Sequence, residues 1–158
     1  YGPWGRPDMA YFKFTKSILN RQKIDVYNHG NMSRDFTYID DLVLAIRLLI
    51  DAIPSQSDLK AENSGAIDSN SPVAPFRLVN IGNSQPEQLS DFIYALEKSL
   101  GVKAEKNFMP MQPGDVPATW ADTRLLELLT GYRQKTKIDV GVARFVDWYT
   151  RYYSIKVY

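Results

Sequence analysis

Between Asp40 and Ile53 the apolar residues fall at Leu42, Val43, Ile46, Leu49, Ile50 and Ile53. This is the i, i+3, i+4, i+7 spacing that collects side chains on one face of an α-helix, and Pro54 ends it. The same period recurs elsewhere. From Asp8 to about Asn20 it places Phe12, Thr15, Ile18 and Leu19 together, with Asp8 as the cap. Ser84-Gln85-Pro86-Glu87 reads as a capping box with proline in the first turn. The helix behind it carries Leu89, Phe92, Ile93, Leu96 and Leu100 on one face and stops at Gly101. A short helix capped by Asp122 runs through Leu129 to Gly131. A last one, about Ile138 to Tyr153, buries Val142, Phe145, Val146 and Tyr149.

Short extended segments separate these helices. Ile24-Asp25-Val26-Tyr27 alternates like a strand. Asn28-His29-Gly30-Asn31 supplies turn residues that tolerate positive φ, so Arg34 to Tyr38 is expected to close a hairpin with it. Phe76 to Ile81 reads as a buried strand and Ala104 to Met109 as another. Ser55 to Pro75, rich in Ser, Asn, Asp and Pro, reads as a long exposed loop or lid. The alternation predicts an α/β fold with about five helices and short strands in small sheets.

Composition removes several function classes. The 158 residues are enough for one domain with a real core, and 44% hydrophobic with 23% charged is ordinary for a globular protein. A net charge of +1 leaves no electrostatic footprint for nucleic acid or an anionic membrane, and no apolar run spans a bilayer. Without cysteine there is no disulfide framework, thiolate metal site or catalytic thiol, which fits a cytoplasmic protein. The single histidine, His29, excludes a histidine metal cluster and reads as a turn residue. Gly2-Pro3-Trp4-Gly5 has neither the spacing nor the flanking strand and helix of a dinucleotide-binding loop.

Two residues stand out for chemistry. Arg34 follows a tight turn at the start of an extended segment, and a guanidinium fork matches two phosphate oxygens. Its alternative is a surface arginine paired with Asp35 or Asp41. Asp115, in the turn Pro113-Gly114-Asp115, can accept hydrogen bonds from a ribose diol; its alternative is to cap its own turn. Tyr94-Ala95-Leu96-Glu97-Lys98 has the spacing of a proton-exchanging Tyr/Lys pair, but it reads as the polar flank of an amphipathic helix.

Three segments in order carry a resemblance: Tyr1-Gly2-Pro3-Trp4-Gly5-Arg6-Pro7-Asp8-Met9, Arg34-Asp35-Phe36-Thr37-Tyr38-Ile39-Asp40-Asp41, and Pro113-Gly114-Asp115-Val116-Pro117-Ala118-Thr119-Trp120-Ala121-Asp122. Together they resemble the carboxy-terminal half of nucleotide-sugar epimerases of the extended short-chain dehydrogenase/reductase superfamily, nearest to the UDP-glucuronate 4-epimerases. The resemblance covers nearly the whole chain. It implies that residues 1–158 form the smaller, UDP-sugar-binding lobe. The Rossmann lobe, with NAD and the catalytic Tyr and Lys, is expected to precede it and to be absent here.

The resemblance also implies residue roles. Arg34 contacts the UDP phosphates and Asp115 the nucleotide. Val26 and Tyr27 flank the uracil. Arg6 reaches the C6 carboxylate of the sugar and selects glucuronate. Gln112 stands where many relatives have a phosphate-binding arginine, so it can donate a hydrogen bond but no charge. No catalytic residue is assigned within the chain.

In the complete protein, NAD takes hydride from C4 of UDP-glucuronate, the keto sugar turns over, and hydride returns to give UDP-galacturonate. The expected partners are the UDP-sugar and the Rossmann lobe, with no nucleic acid and no membrane. The complete enzyme is expected to be a homodimer, and this chain alone an inactive monomer that does not bind NAD. The alternatives are a related UDP-sugar epimerase or decarboxylase, or a non-catalytic module that binds UDP-sugars or protein.

Overall fold

The computed structural model describes residues 1–55 and 68–155. In chain order the elements are α1 (Ala10–Leu19), β1 (Ile24–Val26), β2 (Ser33–Arg34), α2 (Ile39–Asp51), β3 (Glu87–Gln88), α3 (Leu89–Leu100), β4 (Lys106–Phe108), α4 (Arg124–Thr130) and α5 (Ile138–Tyr152), with a 3₁₀ turn at Tyr27–Gly30. Among the described residues the strands form two two-stranded sheets, β1 with β4 and β2 with β3. The α/β class, the small sheets and the five α-helices among the described residues agree with the sequence reading.

The core lies where α1, α3 and α5 meet over β1. Phe92, Leu96, Leu100 and Phe145 have no exposed surface, and Phe12, Ile18, Val142 and Val146 close around them. Each such side chain contributes roughly 1.5–3 kcal/mol by leaving water. Phe12 meets Phe145 edge to face at 5.2 Å, and Phe36 stacks on Phe92 at 4.6 Å. Gly101 and Gly131 end α3 and α4 in the left-handed region, each at φ +66°. Glu97, buried on α3, accepts bonds from Lys106 Nζ (2.7 Å), the Ala104 N–H (3.0 Å) and Lys103 Nζ (3.1 Å). Burial pushes its carboxyl up, but these donors outweigh burial and hold it below the usual glutamate value.

Several expectations are corrected. β1 does not close a hairpin with the Arg34 segment. It pairs in parallel with β4, Ile24 opposite Lys106 and Val26 opposite Phe108. The turn between β1 and β2 places both Asn28 and His29 at positive φ, and the chain leaves it for a different sheet. β2 instead pairs antiparallel with β3, Arg34 opposite Glu87.

That pairing consumes the expected capping box: Glu87 is in a strand, and α3 starts at Leu89 with no side-chain cap. Asp8 does not cap α1 either, because its carboxylate is paired with Arg6 at 3.0 Å. Phe76 to Ile81 forms no strand, and Phe76 and Leu78 are exposed. Of the expected 55–75 loop, residues 56–67 lie outside the described residues; 68–75 contain no helix or strand.

The helix with the plainest pattern also behaves differently from the others. In α2, Val43, Ile46 and Ile50 are 55, 47 and 65% exposed, and the buried residues are Asp41 and Ala45. α2 packs on α4, and its amino-terminal end is tied down by a polar clasp. Asp41 accepts bonds from the Tyr132 hydroxyl (2.9 Å) and the Thr136 N–H (3.1 Å). Burial first, and then Asp41, raise the Tyr132 phenol to about 12.

Candidate functional site

A cleft of about 520 Å³ opens beside β1 and β2, within the range of small-molecule sites. Its walls come from α1 (Ala10, Tyr11, Phe14), β1 and the turn after it (Asp25, Tyr27), β2 and the segment behind it (Arg34, Asp35, Phe36), and the 115–119 segment. Period-two alternation along β1 sends Ile24 and Val26 into the core and leaves Asp25 outward.

β2 is short, yet it is held from both sides. Beyond its pairing with β3, the Ser33 N–H donates to Pro117 O at 2.9 Å and the Thr119 N–H donates to Ser33 O at 3.3 Å. These bonds bring the turn at Asp115 beside Arg34. Arg34 Nη2 donates to Asp115 Oδ1 at 2.8 Å, and Nη1 donates to Ser33 O at 2.9 Å. The Val116 N–H also donates to Asp115 Oδ1 at 3.0 Å. Arg34 and Asp115 are each about one-third exposed, with side-chain values of 28 and 33%, so both remain open to a ligand. Arg34 pairs with neither Asp35 nor Asp41.

Asp35 is the residue that sequence reasoning missed. Its Oδ1 accepts the Asn83 N–H at 2.8 Å, and its Oδ2 accepts the Ser84 and Ala121 N–H groups at 3.0 Å each. One carboxylate thus ties two distant loops to the strand that carries Arg34. Gly82 permits this approach: a Cβ there would lie 2.6 Å from Ala121 Cβ and 2.7 Å from Asp35 Oδ2. The local signal was the Gly82-Asn83-Ser84 turn, whose N–H groups need an acceptor, but nothing local named Asp35 as that acceptor. Asp25 was missed too, although the alternation of β1 already placed it opposite Val26.

The structure brings Tyr27, Arg34 and Asp115 together at the cleft. The other expected site residues do not line it. Val26 is 2% exposed and packs in the core. Gln112 is exposed, and its carbonyl accepts the Asp115 N–H at 3.2 Å in the turn. The Arg6 side chain is 74% exposed and paired with Asp8, while the Met9 that follows does line the cleft. Tyr94 and Lys98 border a separate depression on α3.

Among the described residues no three His, Cys, Asp or Glu side chains come together as a metal site, and no helix is long and apolar enough to cross a membrane. These residues do not fit NAD. Among the described residues the one parallel strand pair is β1 with β4, and β1 is followed by a 3₁₀ turn, not a glycine-rich loop opening a helix.

Residues 1–61, which span β2 and the start of the Arg34 scaffold, match the NAD dependent epimerase/dehydratase family. The chain resembles nucleotide-sugar epimerases along its whole length. It is 52% identical over 153 residues to the probable UDP-glucuronate 4-epimerase of Rhizobium meliloti, covering 97% of this chain and 45% of that protein. It is 53% identical over 155 residues to protein CapI of Staphylococcus aureus, covering 98% of this chain and 46% of that one.

Among solved structures, the UDP-glucuronic acid 4-epimerase of Bacillus cereus in complex with UDP-glucuronic acid and NAD superimposes with a TM-score of 0.77 at 28% identity. That match covers 97% of this chain and 43% of the other. The chain therefore spans about half the length of the curated relatives it matches.

Proposed function

We propose that this chain is the UDP-anchoring lobe of an NAD-dependent UDP-sugar 4-epimerase that interconverts UDP-glucuronate and UDP-galacturonate. The observation that carries this reading is the Arg34–Asp115 pair. Two partly exposed charged groups, 81 residues apart in sequence, are held at 2.8 Å on the wall of a cleft of about 520 Å³. Arg34 anchors the diphosphate through its remaining N–H donors, Asp115 faces the ribose, and Tyr27 lies against the base. Inverting C4 by removing and returning hydride requires the sugar to turn over while UDP stays fixed. Fixing UDP is the work this lobe does.

The hydride chemistry, the NAD site and the Tyr/Lys pair belong to a second, Rossmann lobe, and the chain alone is inactive. The exposed apolar stripe of α2, with Val43, Ile46 and Ile50 at its centre, supports that reading as a face for such a lobe to cover. We place the complete enzyme in the cytoplasm, as a homodimer.

The placement of Arg6 favours a second reading. Its guanidinium is exposed and paired with Asp8, and Arg6 does not line the cleft. That suits a related epimerase whose sugar has no C6 carboxylate. Calorimetric titration with UDP, UDP-glucose and UDP-glucuronate, repeated on Arg34→Ala, tests both. UDP affinity is expected to fall about 10- to 100-fold in Arg34→Ala, the loss of one charge-assisted contact. A preference for UDP-glucuronate that disappears in Arg6→Ala supports the glucuronate reading, and equal binding of the two sugars supports the second. Equal UDP binding by wild type and Arg34→Ala removes the anchoring role.

A further inference from the structure

Asp115 is bound too firmly to protein for a group whose only task is to meet a ligand. Its Oδ1 is shared between Arg34 Nη2 at 2.8 Å and the Val116 N–H at 3.0 Å, and its own N–H is held by Gln112 O at 3.2 Å. Gly114, at φ +83°, closes the turn that aims it. On the other side, Arg34 is gripped at both terminal nitrogens, Nη1 by Ser33 O and Nη2 by Asp115. The guanidinium plane is fixed by two acceptors from different parts of the chain. Among the described residues its other three N–H donors, and Asp115 Oδ2, have no protein partner.

We infer that Asp115 is a positioning residue for Arg34, holding the guanidinium in the orientation that receives the diphosphate. This inference rests on the proposed UDP site and assigns Asp115 a task there beyond facing the ribose. An unrestrained arginine would have to be ordered when ligand binds, and ordering one long side chain weakens binding by about three- to tenfold. The negative charge of Asp115 acts in the opposite direction on a diphosphate. It is one-third exposed and screened by water, whereas its effect on the orientation of Arg34 is direct.

The test is calorimetric titration of UDP and uridine into the unaltered chain, Asp115→Ala, Arg34→Ala and the double variant. Asp115→Ala is expected to weaken UDP about three- to tenfold and uridine less than about twofold. In the Arg34→Ala background, removal of Asp115 is expected to cost UDP nothing more. Equal loss for uridine and UDP, or a loss that persists without Arg34, overturns the inference and leaves Asp115 as a ribose contact alone. If the unaltered chain binds neither ligand, the UDP site itself fails.

Positioning is read separately by nitrogen-detected NMR of the arginine side chains. Resolved Nη signals for Arg34 that merge in Asp115→Ala support it, and signals already merged in the unaltered chain overturn it.

Discussion

Removing the Asp35 carboxylate should loosen the whole site without touching the cleft's charged pair. Asp35 accepts three backbone N–H groups at 2.8–3.0 Å, from Asn83, Ser84 and Ala121. A hydrogen bond to a charged group is worth roughly 1.5–3 kcal/mol, but three bonds sharing one acceptor are not additive. The Ser84 N–H lies at the surface and can return to water, whereas the other two are partly buried. Asp35→Ala is therefore expected to cost about 3 kcal/mol, which lowers Tm by about 6–12 °C for a chain of this size. Asp35→Asn should cost about half as much, because an amide oxygen in the Oδ2 position keeps two donors while its NH₂ opposes the Asn83 N–H.

The assay is thermal unfolding by circular dichroism, with hydrogen exchange at Asn83 and Ala121 in the same variants. Exchange at those two amides should rise in Asp35→Ala before global unfolding does. A Tm within about 2 °C of wild type, with unchanged protection at Asn83 and Ala121, would refute the view that Asp35 ties the loops to β2.

Three other outcomes are expected. In urea titrations, Ile46→Ser and Ile50→Ser should each change the stability of this chain by no more than about 0.5 kcal/mol, while Phe145→Ala should cost about 3–5 kcal/mol; comparable losses would place the α2 stripe in the core. Gly82→Ala should destabilise by about 1–3 kcal/mol, because its Cβ would press on Ala121 and Asp35; a melting curve identical to wild type would mean that the loop yields freely. The Tyr132 phenol is raised to about 12, so its contribution to stability is complete below the ordinary tyrosine value near 10 and is lost as pH rises from about 10 to 12. Tyr132→Phe should flatten that part of the stability–pH curve, and an unchanged curve would remove Tyr132 as its cause.

Local order was legible in the sequence wherever one helix face meets the core. α1, α3 and α5 lie within a few residues of where their apolar periods place them, and the expected faces are the buried ones: Phe12 and Ile18, Phe92 and Leu96, Val142 and Phe145. Gly101 and Gly131 end their helices because only the local backbone sets the cost of positive φ. Arg34 and Asp115 could each be singled out from residue type and turn context, beside a plain alternative for each, but nothing local joined them as a pair.

Tertiary structure decided which groups meet. β1 takes its partner from β4, 82 residues away, because a three-residue strand carries too little pattern to specify a neighbour. α2 shows that a helical period says which side chains share a face and not what covers that face. The sequence offered Arg34 two carboxylate partners, Asp35 and Asp41. The bonds from Ser33 to the 117–119 segment gave it Asp115 and left Asp35 to hold the loops together. Periodicity and turn chemistry act between near neighbours and are written in order along the chain. Strand pairing and the joining of charges across 81 residues depend on closing long loops, an entropic cost that only the packing of the whole core offsets.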